Sequence, residues 1–336
     1  MASSTVAPLP VQTQQPIRQS LTASIGFRNS KVSFNPTADC QAGGAIVQQL
    51  HSIDTSLKIY TPSSPQYEAL RGVYNEQIKA RPQAIVRPTT TAQVQAVVRT
   101  ASSLNVPLAV RAIGHAFFGS SCVADSVMLD MRELDSLTLS RDQKTVQVGG
   151  GTLTRNLIGF LDTHGLVTAS STAGCIGWTG WALWGGYGPM NSYTGFGVDN
   201  ILSAKVVTAD GNVVEADGSS ELLWGIRGAG ASLGVVVETT VRTYEVPEML
   251  GGRIQYKQGQ TTKALIGLQR LLEQGVPQDL CLQLELSGQA LDLIVGWMGK
   301  LNEGQKWLDT VRGVADVDLD TVEQSMFPSP LLSICI

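Results

Sequence analysis

Charge is what this chain has least of. Only 15% of its 336 residues are Asp, Glu, Lys or Arg, against roughly 25% in an ordinary soluble domain. The formal net charge is −4, so the basic footprint of a nucleic-acid-binding protein is absent and that partner class is excluded. No apolar run approaches the roughly 20 residues that cross a bilayer, which excludes a spanning helix and a membrane partner. The five cysteines, Cys40, Cys122, Cys175, Cys281 and Cys335, are scattered. They form no CxxC pair to suggest zinc, and their spacing suggests no disulfide framework; the odd number leaves at least one thiol outside any pair within the chain. Histidines number only three. Residues 1–38 lack any acidic side chain and carry Arg18, Arg28 and Lys31 as their only charges. They contain no apolar core of a secretory signal, which leaves the cytoplasm as the default location. They read as a disordered tail, with an organelle transit peptide as the alternative.

What the chain has in quantity is apolar residues, 43%, and 35 glycines. That combination supports a buried interior with many tight turns, in one large or two ordinary domains. Asp39 to Leu70 reads as short helices over loops, broken at Pro62 and Pro65. Ala84–Arg87 reads as a strand, Thr91 as the cap of a helix with Val94, Val97, Val98, Ala101 and Leu104 on one face, and Leu108–Arg111 as the next strand. Val127–Met131 is a further strand. Leu137–Leu139 and Thr145–Val148 form a hairpin, and Thr152 caps a helix that stops near Gly165. Ala204–Thr208 and Val213–Glu215 flank an Ala-Asp-Gly-Asn turn. A short helix follows Ser219 and Ser220, and Val235–Val246 alternates as one long strand. Beyond Pro247 a second α+β unit opens: strand 253–257, helix 261–274, strands 280–287 and 290–298 joined by Ser-Gly-Gln, and helix 303–314. Two or three strands do not bury a sheet face alone.

Two glycine-rich loops hold the rare nucleophiles. Arg111-Ala-Ile-Gly-His115-Ala-Phe-Phe-Gly119 follows a strand, at the carboxyl end where open α/β sheets bind ligands. Gly174-Cys175-Ile-Gly177-Trp-Thr-Gly180-Trp-Ala-Leu-Trp-Gly185-Gly-Tyr-Gly188 follows sixty residues later. In the first loop, Gly114 and its neighbouring peptide N–H groups can cradle phosphate oxygens, with Arg111 adding charge. It is neither G-x-G-x-x-G nor a Walker sequence. Each residue also has a plainer reading. His115 can be a hydrogen-bonded structural residue, Cys175 a small buried hydrophobe, and Trp178, Trp181 and Trp184 a packed helical face.

From about Arg81 to Val246 the chain resembles the FAD-binding domain of the p-cresol methylhydroxylase and vanillyl-alcohol oxidase superfamily. Within it, the chain is most similar to the berberine bridge enzyme-like flavoproteins, fungal oligosaccharide oxidases included. The matching text is Ile85-Val-Arg-Pro88, Val110-Arg-Ala-Ile-Gly-His115, Gly174-Cys-Ile-Gly177, Leu183-Trp-Gly-Gly-Tyr-Gly188, Gly195 to Gly211, Glu221 to Gly230 and Leu233-Gly-Val-Val-Val237. The resemblance implies an α+β protein. Residues 39–248 would be an FAD-binding domain of two α/β subdomains (core 81–247), and residues 249–336 an incomplete α+β substrate domain. It further implies FAD bonded through its 8α-methyl to His115, and through C6 to Cys175 as in doubly linked members. Arg111, Ala112, Ile113, Gly114, Ala116 and Phe117 would wrap the pyrophosphate. Gly174, Gly180, Gly185, Gly186 and Gly188 would pass beside the cofactor, with Val236 and Val237 near the adenine. Hydride would pass from a small-molecule substrate (an alcohol, a sugar hemiacetal or a secondary metabolite) to the flavin, and dioxygen would reoxidise it to give hydrogen peroxide.

The chain departs from the family in three places. Ala112-Ile113 stand where glycine or serine is usual, narrowing the room for phosphate. Ala116-Phe117-Phe118 replace a small polar residue after the histidine. Trp184 puts an indole where the backbone passes tightly. The family's catalytic base lies in a region with no counterpart here, and Glu285, alternating with Leu284 and Leu286, is the one weak candidate. Two alternatives stand beside the oxidase: a truncated, non-catalytic flavin-binding or interaction module, and a dehydrogenase with a non-oxygen acceptor.

Overall fold

A computed structural model describes residues 36–287 and 290–325. The chain divides into Met1–Pro36 and a compact unit, Thr37–Ile336. The expected tail therefore lies outside the described residues, apart from Pro36 to Ala38, which open a helix. That helix, Pro36–Ile53, is one element where short pieces are expected. Both prolines read as breakers lie beyond its end, and Ile46 and Leu50, one turn apart, are fully buried.

The first sheet has the order Lys58–Tyr60, Ala84–Arg87, Val127–Asp130, Leu108–Arg111. The last three strands are parallel, with Arg111 opposite Asp130. Both expected strands, 84–87 and 108–111, form with the bounds read from the sequence, because prolines 82, 88 and 107 bracket short apolar runs. The helix between them, Thr91–Ser103, is capped by Thr90 rather than Thr91: the Thr90 hydroxyl accepts from the Gln93 N–H. Its Val94, Val97, Val98 and Ala101 pack on the sheet. The second sheet is antiparallel, in the order Leu137–Leu139, Thr145–Gly149, Val235–Arg242, Ile201–Val207, Val213–Ala216. The long strand expected through Val246 ends at Arg242. Thr243 turns its N–H to Lys144 O, and Tyr244–Glu245 pairs separately with Leu166–Val167.

Thr152 does not cap the next helix. Thr154–Asp162 begins two residues later, and its first N–H groups, on Thr154 and Arg155, donate to Ile176 O and Gly174 O. The second glycine loop is thereby tied to a helix N-terminus. Within that loop Trp178–Leu183 is a short helix. Trp178 is fully buried and donates from Nε1 to Ala169 O at 2.8 Å, whereas Trp184 is 65% exposed. The three indoles thus do not share one packed face.

After Pro247 the chain builds another sheet with its own core. Leu280–Ser287, Ala290–Trp297, Met249–Tyr256 and Val317–Asp320 run antiparallel, with Glu323–Ser325 also on Met249–Tyr256. Helices Thr261–Gln274 and Leu301–Arg312 cover one face through Leu268, Leu271, Leu308 and Val311. The two short strands after residue 316 were not expected; they make this sheet wider than the two or three strands read from the sequence. Of the Ser-Gly-Gln turn, Ser287 ends the strand and residues 288–289 lie outside the described residues. Among the described residues no helix is long and apolar enough to cross a membrane.

Because Trp178 anchors the second glycine loop to the core, Trp178→Ala is expected to cost about 3–5 kcal/mol of unfolding free energy. Trp178→Phe, which loses the hydrogen bond and little volume, should cost less than half as much; equilibrium denaturation measures both.

Candidate functional site

The strand Leu108–Arg111 delivers the first loop, and Arg111 sets its shape. The residue is 4% exposed. It donates from Nη2 to Gly72 O at 2.6 Å, from Nη1 to Leu70 O, and from Nε to Ile113 O at 3.4 Å. Burial pulls its pKa down to about 10, with the charge of Arg132 adding to the effect. Gly114 sits against this group at φ 99°, and a Cβ there would lie 2.9 Å from the guanidinium Nε. Glycine is required on both counts. Arg111 itself does not line the cavity that the loop borders. It was expected to add charge beside a phosphate; its hydrogen-bonding capacity is spent on carbonyls instead.

The two glycine loops meet. A Cβ on Gly177 would lie 2.8 Å from Ile113 Cγ1 and 3.3 Å from Ala112 Cβ. The Ala-Ile pair that departs from the family text therefore fills space against the second loop. Between the loops lies a cavity of about 790 Å³, near the upper end of the roughly 300–1,000 Å³ usual for small-molecule sites. His115 and Cys175 both line it, with Ala112, Ile113, Gly114, Ala116 and Phe117 from the first loop and Gly180 and Gly186 from the second. Val236 lines it as well, while Val237, on the other face of its strand, packs into the opposite core and accepts from Gly150 N–H. Gly174, Gly185 and Gly188 do not reach it. Gly188 is instead pressed against Ser170, whose carbonyl oxygen would lie 1.8 Å from a Cβ. Trp184 lines the cavity and is largely exposed.

No Asp, Glu, Lys or Arg is among the residues that line this cavity. An anion there must be held by neutral donors, and these exist. Among the described residues, the peptide N–H groups of Gly114, His115, Ala116 and Phe117 have no protein acceptor. The Ser121 hydroxyl, on a residue 4% exposed, lines the cavity without a partner. A run of orphan peptide donors with a buried hydroxyl fits a pyrophosphate. Burial, with the nearby Arg111 charge, lowers the pKa of His115, so the imidazole is neutral and nucleophilic at neutral pH. Cys175 is disulfide-bonded in this structure, where the cysteine spacing had suggested no such framework.

Glu285 does not line the cavity. It stands on the strand Leu280–Ser287 opposite Asp292, which pairs with Arg253 at 2.7 Å. On the same strand Gln283 accepts from the Thr172 hydroxyl at 2.5 Å, beside the second glycine loop. Tyr74, Ser120, Ser121, Gly150 and Thr179, none of them a candidate from the sequence, also line the cavity. The run Gly149-Gly-Gly151 was a visible signal for one of them. A Cβ on Gly150 would lie 2.4 Å from Val236 O.

A family model described as an FAD binding domain matches residues 82–217. The chain belongs to the p-cresol methylhydroxylase and vanillyl-alcohol oxidase superfamily of FAD-binding proteins. A relative within this superfamily, the FAD-linked oxidoreductase aurO of Gibberella zeae, is 47% identical over 91% of this chain and 62% of that protein. The 6-hydroxy-D-nicotine oxidase of Arthrobacter nicotinovorans superposes with a TM-score of 0.75 at 26% identity, over 80% of this chain and 61% of that one. The berberine bridge enzyme-like protein of Physcomitrella patens gives 0.75 at 25%, over 83% and 62%. The chain thus spans about three fifths of the length of these superfamily members.

Two measurements check the site. Arg111→Met, which leaves three carbonyls without their donor, should cost about 2–4 kcal/mol in denaturant titrations. In the apo chain carrying His51→Gln and His164→Gln, acylation of His115 by diethyl pyrocarbonate should fall away as acid protonates the ring. Because the shift is downward, the midpoint should lie below the ordinary imidazole value of about 6.5.

Proposed function

We propose that the protein is an FAD-dependent oxidoreductase, an oxidase of an alcohol, a sugar hemiacetal or a secondary metabolite, with FAD bonded to His115. The observation that carries this reading is the convergence of His115, the orphan N–H groups of Gly114 to Phe117 and Ser121 on one cavity free of charged side chains. When bound, FAD supplies a hydride acceptor for the substrate and a route for its electrons to dioxygen. The chain's own residues do the holding. The peptide N–H groups and Ser121 take the pyrophosphate, and the neutral imidazole provides a nucleophilic anchor. A second anchor at Cys175 requires its disulfide to be reduced first. Phe117, Trp184 and Tyr187, each more than half exposed at the cavity, offer flat apolar faces to a substrate.

A second reading, a flavin-binding module that does no chemistry, draws support from the strand Leu280–Ser287. Leu284 and Leu286 are 43% and 64% exposed on the strand Leu280–Ser287, an apolar surface that asks for a partner.

One experiment separates the readings. The purified chain is precipitated in acid and its flavin traced, while oxygen uptake is followed with sugars and alcohols. Flavin is expected to stay with the wild-type pellet and to leave it entirely in the His115→Ala/Cys175→Ala variant, and peroxide should form with at least one donor. Flavin in the wild-type supernatant would count against covalent attachment. A yellow protein silent with every donor and acceptor would favour the module.

A further inference from the structure

Tyr74 lies 41 residues before His115, yet its ring stacks on the imidazole, with centroids 4.6 Å apart and planes 21° from parallel. Both residues line the cavity. Tyr74 is 64% exposed, so burial of its own ring does not account for its place. Its backbone does. The Tyr74 N–H donates to Gly114 O at 3.0 Å, and Asn75 Nδ2 donates to Phe117 O at 2.9 Å. Arg111 grips the carbonyls of Leu70 and Gly72 just before it. At the far end Ile78 packs where a Cβ on Gly119 would sit, 2.8 Å from Ile78 Cδ1. The segment from Leu70 to Ile78 is thus strapped along the whole histidine loop, and Tyr74 is the side chain it carries to the imidazole. Among the described residues no hydrogen bond orients the ring nitrogens of His115, so the stack is the contact that sets the ring plane.

We propose that Tyr74 is a positioning residue for flavin attachment. By covering one face of the His115 imidazole it restricts rotation of the ring and leaves the edge bearing both nitrogens available to the cofactor. The proposal rests on the reading of His115 as the site of attachment. In that step an N–C bond forms between the imidazole and the 8α-carbon of the flavin, while one methyl C–H and one imidazole N–H break. The two protons and two electrons released pass through the flavin to dioxygen, which leaves as hydrogen peroxide. A ring free to rotate spends less time with a nitrogen facing that carbon, and attachment slows while binding itself does not.

The test uses the full chain with Cys175→Ala, so that only the histidine link is scored. Apo protein is mixed with FAD in air, and acid-stable flavin is followed with time, alongside FAD affinity by fluorescence quenching and thermal stability. Tyr74→Leu should slow attachment at least tenfold with affinity within threefold and the melting temperature unchanged. Tyr74→Phe and Tyr74→Trp, which keep a stacking face, should restore a rate within about twofold of the parent. Attachment in Tyr74→Leu at the parent rate would overturn the proposal alone. So would a loss of affinity in step with the rate, because Tyr74 would then be a general binding contact. A parent that forms no acid-stable flavin, matching His115→Ala, would overturn the attachment reading and this proposal with it.

Discussion

A buried guanidinium holds this site together. Arg111 lies at the end of a parallel strand and gives its hydrogens to the carbonyls of Leu70, Gly72 and Ile113. A charge so enclosed is tolerated only when its donors are engaged, so any movement of these backbone segments would leave it unpaired. The shape of the histidine loop, the seat of Gly114 and the approach of Tyr74 all follow from that requirement. The fall of the Arg111 pKa to about 10 still leaves it cationic at neutral pH, and its charge helps to keep the neighbouring imidazole unprotonated.

The second constraint is contact between the two glycine loops. Gly177 admits Ile113 and Ala112 only because it has no side chain. The second loop is tied elsewhere by Trp178 and by the helix N-terminus that donates to Gly174 and Ile176. The result is a cavity whose polarity comes from peptide dipoles and neutral side chains such as Ser121 rather than from ions. Such donors are fixed by the backbone and need no reorganisation when an anion arrives. The buried Ser121 hydroxyl otherwise has no reason to remain unsatisfied.

Much of this was legible in the sequence, and the residues show why. Ala84–Arg87 and Leu108–Arg111 are short apolar runs bracketed by prolines, so their limits are local facts. Helix 261–274 has an unbroken apolar period and formed with the expected bounds. His115 and Cys175 stood out because rare nucleophiles inside glycine clusters are unusual. Thr91 was misread as a cap because the hydroxyl one residue earlier, on Thr90, is the one that reaches the Gln93 N–H; Thr152 was misread because the first N–H groups of the next helix are taken by the distant carbonyls of Gly174 and Ile176. Arg111 was read as a phosphate ligand from its charge and position, but its orientation is decided by two carbonyls some forty residues upstream. Tyr74 and Ser121 carry no local signal, since their proximity to His115 and to the cavity arises only when distant segments pack.

By itself, then, the order of residues determined the strands, the glycine turns and the seating of a histidine and a cysteine each in its own glycine-rich loop, because each depends on neighbours within a few positions along the chain. Only the tertiary structure decided that Arg111 faces inward, that Ala112 and Ile113 fill against Gly177, and that Tyr74 lies on His115. Those outcomes are set by volume and hydrogen-bond competition among groups far apart in sequence, which no local pattern encodes.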